Sequence, residues 1–327
     1  MIPIGRIHET PSPPNIMKRF FITAASSLLL VMHAGVVSAQ QTRIEAIVVP
    51  NEGNPQRIWI NEVTRTGVRY YATETTTALG DFALSQARAI FFPEPSALST
   101  AIQQFRGREY RTAMQGFARV AADYQAVRPL ANNPSTRAAY FEIECLRLLG
   151  EYEQMSEKLG ALNQSSLTRE NELRQLELNL LWEAVGRGAW DRLEGLVNER
   201  TGTRMPGNQR AQVAYCAGVV HEQKGETEEA MIAYNEAMIV DAAASEVVAR
   251  MAAVGILRIL DSDSEVRAAR DAWGTENQRP NSDGHAKLLE AGAVARIYDS
   301  FVGAGAPLPD AYKPYLEYQA QAPESES

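Results

Sequence analysis

The sequence predicts a mainly α protein: an α-solenoid of stacked helix pairs preceded by a small antiparallel β module. Three observations predict it. Between Gly218 and Asp241, the residues Gly218, Gly225, Ala230, Tyr234 and Ala237 fall at the spacing of a two-helix repeat. Weaker copies precede them at offsets of roughly 37 to 42 residues, a period that marks stacked helix pairs rather than one closed globule. Residues 43–92, by contrast, carry apolar residues two apart between turn-forming clusters, the period of strands. Stacks of helix pairs bind other proteins far more often than they catalyse reactions.

The first 39 residues read as an address and not as part of the fold. Met17 is followed by Lys18 and Arg19, an apolar run from Phe20 to Met32, and then Val37-Ser38-Ala39. Basic, then apolar, then small is the order of a secretory signal peptide, with cleavage expected after Ala39. The apolar run, about 13 residues, is short for a bilayer core ~30 Å thick. Residues 1–16 are polar and carry Pro11, Pro13 and Pro14, so Met17 is the expected start. An exported, periplasmic chain beginning near Gln40 is the expectation. Loss of Arg6, Lys18, Arg19 and Glu9 takes the formal charge from −8 to −10. An acidic chain with scattered Lys and Arg lacks the basic stripe that nucleic acid or an anionic membrane requires.

Between residues 40 and 95 the strands are expected at 43–50, 57–63, 68–72, around Phe82 and Leu84, and at 87–92. The first run contains Ile44, Ala46, Ile47, Val48 and Val49; Ile58 and Ile60, then Val68 and Tyr70, stand two apart; Asn51–Pro55 and Arg65–Gly67 supply turns. Five short strands at this spacing form a small curled sheet that resembles the SH3-like or Sm-like barrels in strand length and turn placement. Pro93 and Pro95 stop the last strand.

From Ser96 to residue 320 the apolar period is helical. The first pair ends one helix near Gly107 and carries Tyr110, Ala113, Phe117, Val120 and Tyr124 on one face of the next. Further pairs are expected at 136–150 with 152–162, 168–187 with 190–200, 209–224 with 226–241, and 245–260 with 265–273. Gly150, Gly188 and Gly225 mark the turns. Ser262 with Glu265 has the form of a capping box. Helices at 285–301 and 311–319 complete the array, and 321–327 is a small acidic tail expected to fray.

The fourth pair resembles the tetratricopeptide repeat. That family has a small residue where the two helices meet, supplied by Gly218; a turn glycine, supplied by Gly225; and then Ala, a large aromatic and Ala, supplied by Ala230, Tyr234 and Ala237. Small residues let backbones approach and the aromatic fills the groove beside the next repeat. Ala242 stands where the family often has Pro, and Thr227 where an aromatic is usual. The first pair matches through Gly107, Tyr110, Ala113 and Phe117. The second keeps Gly150 and Tyr152 with Met155 at the small position; the third keeps Gly188 and Trp190 with Leu193 there. In this family the first helix of each pair lines a concave groove. The resemblance therefore implies groove positions at Gln212, Tyr215, Val219, Glu222 and Gln223, at Gln175, Leu178 and Trp182, and at Tyr140, Glu144 and Arg147. Rigid aromatics and Arg among amides suit a partner peptide. Trp182→Ala would then weaken partner binding at little cost in stability; the alternative, that Tyr140, Trp182 and Tyr215 pack between repeats, stays open.

No motif for chemistry stands out. His221 and His285, the two histidines after residue 39, lie in no HExxH or Cys/His cluster, so no metal ligand set is expected. There is no G-x-S-x-G elbow. Gly303-Ala304-Gly305 follows a helix, not a strand, and Asp261–Glu265 lacks the glycine and distal Glu of a calcium loop. Cys145 and Cys216, two repeats apart, are expected as buried small hydrophobes rather than a disulfide.

The expectation is a non-enzymatic adaptor without cofactor, holding another protein or peptide of the cell envelope, with self-association as a further outcome. The signal and repeats together resemble extracytoplasmic tetratricopeptide proteins that attend envelope complexes. The alternative is a peptidoglycan- or carbohydrate-binding protein acting through the β module, with Trp59, Tyr70 and Tyr71 or the junction Phe91-Phe92-Pro93 at its site.

Overall fold

The computed structural model describes residues 43–303 and 306–319, and they belong to one compact unit. The segment expected to be a signal peptide with cleavage after Ala39, the tail 321–327, and Ala304 and Gly305 lie outside the described residues. Mainly helical, the chain opens with a small five-stranded antiparallel sheet.

β1 (Ile44–Pro50), β2 (Gln56–Val63), β3 (Gly67–Tyr71), β4 (Leu79–Ala83) and β5 (Ala87–Phe91) pair in the order β4-β3-β2-β1-β5. Alternation in the sequence becomes a face: Ile44 and Ala46 of β1 stand opposite Ile60 and Ile58 of β2, and all four are buried. The register slips at Ile60/Glu62 and at Val49/Pro50, bulges that bend and twist the sheet. A 3₁₀ turn, Leu84–Gln86, leads from β4 into β5. Strand residues alone do not complete this core. Val127 and Leu130, which follow the second helix of the chain, pack into the same apolar cluster.

Eleven α-helices follow among the described residues: α1 (Ser96–Arg106), α2 (Tyr110–Asp123), α3 (Pro134–Leu149), α4 (Tyr152–Ala161), α5 (Glu170–Gly186), α6 (Trp190–Arg200), α7 (Gly207–Lys224), α8 (Thr227–Ile239), α9 (Glu246–Ser262), α10 (Ser264–Ala272) and α11 (Asp283–Ile297). Each packs on the next, and alternate helices also meet, α1 on α3, α3 on α5, α5 on α7, α7 on α9 and α9 on α11. Ends differ from the sequence expectation where local chemistry differs. The cap of α10 is Asp263, whose side chain accepts from the Glu265 N–H, and not Ser262, whose hydroxyl donates to the Ile259 carbonyl. α11 stops at Ile297 and passes into a wide π turn, Tyr298–Val302. The last segment, Asp310–Glu317, is 3₁₀ and carries Pro314 within it.

Four interhelix turns share one backbone. A residue in the left-handed region is followed by one near φ −80° to −87°, and its N–H bonds the carbonyl five residues back. This is the Schellman closure of a helix C-terminus. Three of the left-handed residues are Gly150, Gly188 and Gly225; the fourth is Arg108, at φ 67°. The turn glycine read from the sequence, Gly107, sits one residue early, as the C-cap of α1. Counted from these residues, Ala113, Met155, Leu193 and Ala230 are equivalent and each is fully buried, as are Phe117, Leu159, Val197 and Tyr234. The α9–α10 connection has no left-handed residue, so the repeat ends with four equivalent hairpins.

Helix approach is set by glycines facing aromatic rings. A Cβ on Gly218 of α7 would lie 2.5 Å from the Tyr234 ring, and one on Gly255 of α9 would meet the same ring at 2.8 Å. A Cβ on Gly186 of α5 would come within 2.3 Å of Tyr152. These are distances no side chain tolerates, so the small residues are required by α8 and α4 packing against their neighbours. Gly218→Ala is expected to destabilise the fold by about 1–3 kcal/mol through overpacking. In the Gly218→Ala, Tyr234→Leu double variant the loss should be smaller than the sum of the two single losses, measurable by denaturant unfolding.

Candidate functional site

A cleft of about 1040 Å³ is walled by the end of α1 and its turn, by α3, by the N-terminal turns of α5 and α7, and by the segment from Ala243 into α9. Five of the groove residues expected from the sequence lie on it: Tyr140, Glu144 and Arg147 of α3, Gln175 of α5 and Gln212 of α7. All five are buried side chains at its floor. They sit there because successive odd-numbered helices place equivalent faces side by side.

A polar chain runs across these helices. Arg147 donates to Glu144 at 2.8 Å, Asn179 Nδ2 donates to Glu144 Oε1 at 2.8 Å, and Gln175 Nε2 donates to Asn179 Oδ1 at 3.1 Å. Gln175 and Gln212 exchange two amide bonds at 3.0 and 3.1 Å. Trp182 Nε1 donates to Gln212 Oε1 at 2.8 Å. Buried polar groups are costly unless paired, so this satisfied chain fixes which way the α3, α5 and α7 side chains face. Burial opposes the Arg147 charge, but Glu144 outweighs it and holds the guanidinium above its ordinary range. Burial, and then Glu144, push the Tyr140 phenol well up, so it stays a neutral hydroxyl.

The remaining expected groove positions lie elsewhere. Leu178, Trp182 and Val219 are in the apolar interior. Trp182, 1% exposed, is stacked between Tyr152 and Tyr215 with ring centres 5.7 and 5.4 Å away. Its reading as a surface residue is corrected: on a helix touching neighbours on both sides, a large ring at this phase is enclosed. Tyr215 is part-buried between Trp182 and Tyr234. Glu222 is engaged by Arg258 at 2.7 Å and by the Tyr234 hydroxyl at 2.6 Å, and Gln223 is exposed.

The rim carries residues that sequence reasoning passed over. Arg108 forms an ion pair with Glu246, joining the first hairpin turn to the start of α9 across the cleft mouth. Arg250 pairs with the same Glu246 at 2.6 Å. Left-handed backbone at a residue with a Cβ costs roughly 1–2 kcal/mol, and the ion pair that accompanies it joins a half-exposed Arg108 to a largely enclosed Glu246. Arg108 was detectable once the turns are phased on the residue two before Tyr110, Tyr152 and Trp190. Its pairing with Glu246 was not, since it depends on how the helices between them pack.

Other candidates give less. His221 Nδ1 is 2.6 Å from Glu226 at the surface. His285 is buried against Trp273, ring centres 5.2 Å apart, and its Nδ1 has no hydrogen-bond partner among the described residues. Cys145 and Cys216 are buried, and burial raises both thiols. Among the described residues no cluster of three His, Cys, Asp or Glu could hold a metal, and no helix is long and apolar enough to cross a membrane. On the sheet, Tyr70 packs edge-on to Phe82 and the Arg43 guanidinium covers Tyr71 at 4.0 Å. Phe91, Phe92 and Pro93 line a recess of about 400 Å³ against Asn132–Pro134, where Glu94 and Glu172 hold Arg137 at 2.7 and 3.3 Å. No protein-family model matches the chain, and no curated protein matches it.

Two outcomes follow from the buried aromatics. Trp182→Ala should destabilise the fold by about 3–5 kcal/mol, since it removes a fully enclosed ring and deprives Gln212 of a donor; thermal unfolding measures it. Burial, followed by Cys216, pushes the Tyr152 phenol up to about 12 against an ordinary 10.0, with Arg147 opposing. The unfolded chain therefore loses that proton first. Stability is complete below pH 10, is lost as pH rises through about 12, and loses part of that slope in Tyr152→Phe, as denaturant midpoints between pH 9 and 12 would record.

Proposed function

We propose that this chain is an exported, non-enzymatic adaptor: an α-solenoid of tetratricopeptide-like hairpins that holds an extended segment of another cell-envelope protein. The observation that carries the reading is the cleft whose floor is one hydrogen-bonded chain drawn from α3, α5 and α7. Equivalent first helices contribute equivalent positions to the trough, whose floor groups are paired with one another; Asn171, Asn208 and Gln209 also line it, and their amides suit a peptide, whose backbone needs donors and acceptors along its length. Packing of every helix on the next and of alternate helices on each other supports the solenoid. Four copies of one left-handed turn, with buried residues in phase, support the tetratricopeptide likeness. Strand order β4-β3-β2-β1-β5 with a 3₁₀ turn before β5 supports an SH3-like module. Export rests on the basic, apolar and small order of residues 17–39.

The test is panning of a random peptide library on the purified chain, with Asn171→Trp as the blocked form. Asn171 is exposed on the cleft wall, so a bulky ring there fills the trough without disturbing the interior. Selected peptides should bind the parent chain and lose at least about tenfold in affinity to Asn171→Trp, with the two melting alike. Peptides that bind both forms equally, or an empty selection, would overturn the reading.

A further inference from the structure

We propose that the cleft selects acidic segments and that Arg108 is the residue that meets their carboxylates at its mouth. The proposal rests on the cleft being a peptide groove. Three observations carry it. First, the cleft is basic within an acidic chain: the chain has a formal charge of −8, while the cleft lining holds Arg106, Arg108, Arg147 and Arg250 against Glu144 and Glu246. Opposite charge is what a binding trough needs to attract and orient a partner. Second, Arg108 occupies a left-handed position that the three equivalent turns give to glycine. A residue kept in a disfavoured conformation at a cleft rim is held there for what its side chain does.

Third, the ion-pair arrangement lets Arg108 change partner. Its side chain is 53% exposed, and Glu246, at 11%, also binds Arg250. When Arg108 turns to a carboxylate in the cleft, Glu246 keeps a cation and no buried charge is orphaned. Arg106, the last residue of α1 and two before Arg108, has no ion pair among the described residues and offers a second guanidinium. Arg147, by contrast, is spent on Glu144 at the floor. A planar guanidinium accepts a carboxylate through two parallel N–H bonds, a geometry lysine cannot supply.

The experiment measures binding of twelve-residue peptides of graded Asp and Glu content to the purified chain, its Arg108→Gly and Glu246→Gln variants, and the Asn171→Trp form. Affinity should rise with acidic content and fall as salt is added. Arg108→Gly should lose about tenfold toward acidic peptides and little toward neutral ones, with a melting temperature equal to or above the parent's because the turn is relaxed. Glu246→Gln should bind acidic peptides more tightly, since it releases both arginines. Losses in both variants would mean that the Arg108–Glu246 pair only braces the cleft, and would overturn the proposal. So would unchanged binding in Arg108→Gly, or tighter binding of a single-stranded oligonucleotide than of the acidic peptides. Charge-independent binding that Asn171→Trp still abolishes would sink the acidic preference and leave the groove standing; binding insensitive to Asn171→Trp would remove the groove as well.

Discussion

Tyr234 lies between two helices that have no side chain where it touches them. Gly218 on one side and Gly255 on the other let its ring enter a space that a single methyl group would close. Its hydroxyl reaches Glu222, which Arg258 of α9 also binds. One residue of α8 thus sets the distance between α7 and α9, and burial alone does not hold it there. Glu222 stays ionised below the usual carboxylate range, since Arg258 and the Tyr234 hydroxyl outweigh the burial that opposes it. Everything along the cleft depends on this close approach, because α5, α7 and α9 present their N-terminal turns side by side only when the second helices sit tightly between them.

The same logic recurs with different residues. Tyr152 enters beside Gly186, and Trp182 stacks between Tyr152 and Tyr215. A continuous run of rings, Tyr152, Trp182, Tyr215 and Tyr234, therefore threads the interior from α4 to α8. The polar chain of Glu144, Asn179, Gln175 and Gln212 runs beside it, tied to it by the Trp182 indole N–H. Apolar rings supply the burial, and the amides give the direction, since each has one donor end and one acceptor end.

The sheet is not independent of the helices. Val127 and Leu130 complete its core, and Tyr124 packs beside them. A fragment ending at residue 95 would expose that apolar face to water. This coupling places the sheet against the first hairpin, so that Pro93 and Pro95 lead directly into α1 and the turn that ends on Arg108.

Strand limits, helix pairs and the glycine-marked turns were legible in the residues, because period, turn chemistry and left-handed glycine are local properties. So were five of the cleft residues, since helical phase within a repeat is local too. Trp182, Leu178 and Val219 show where that reading stops: the same face that lines a cleft near a helix N-terminus is covered further along by the neighbouring hairpin, and only packing says where the cover begins. Pro314 was visible, yet the 3₁₀ path of Asp310–Glu317 became clear only with α11 packed against it. Arg108 displays both halves. Its left-handed place follows from phasing the turns, whereas its reach to Glu246 depends on where the packing of the intervening helices sets the start of α9. That placement is fixed by every contact between neighbours and by no residue alone.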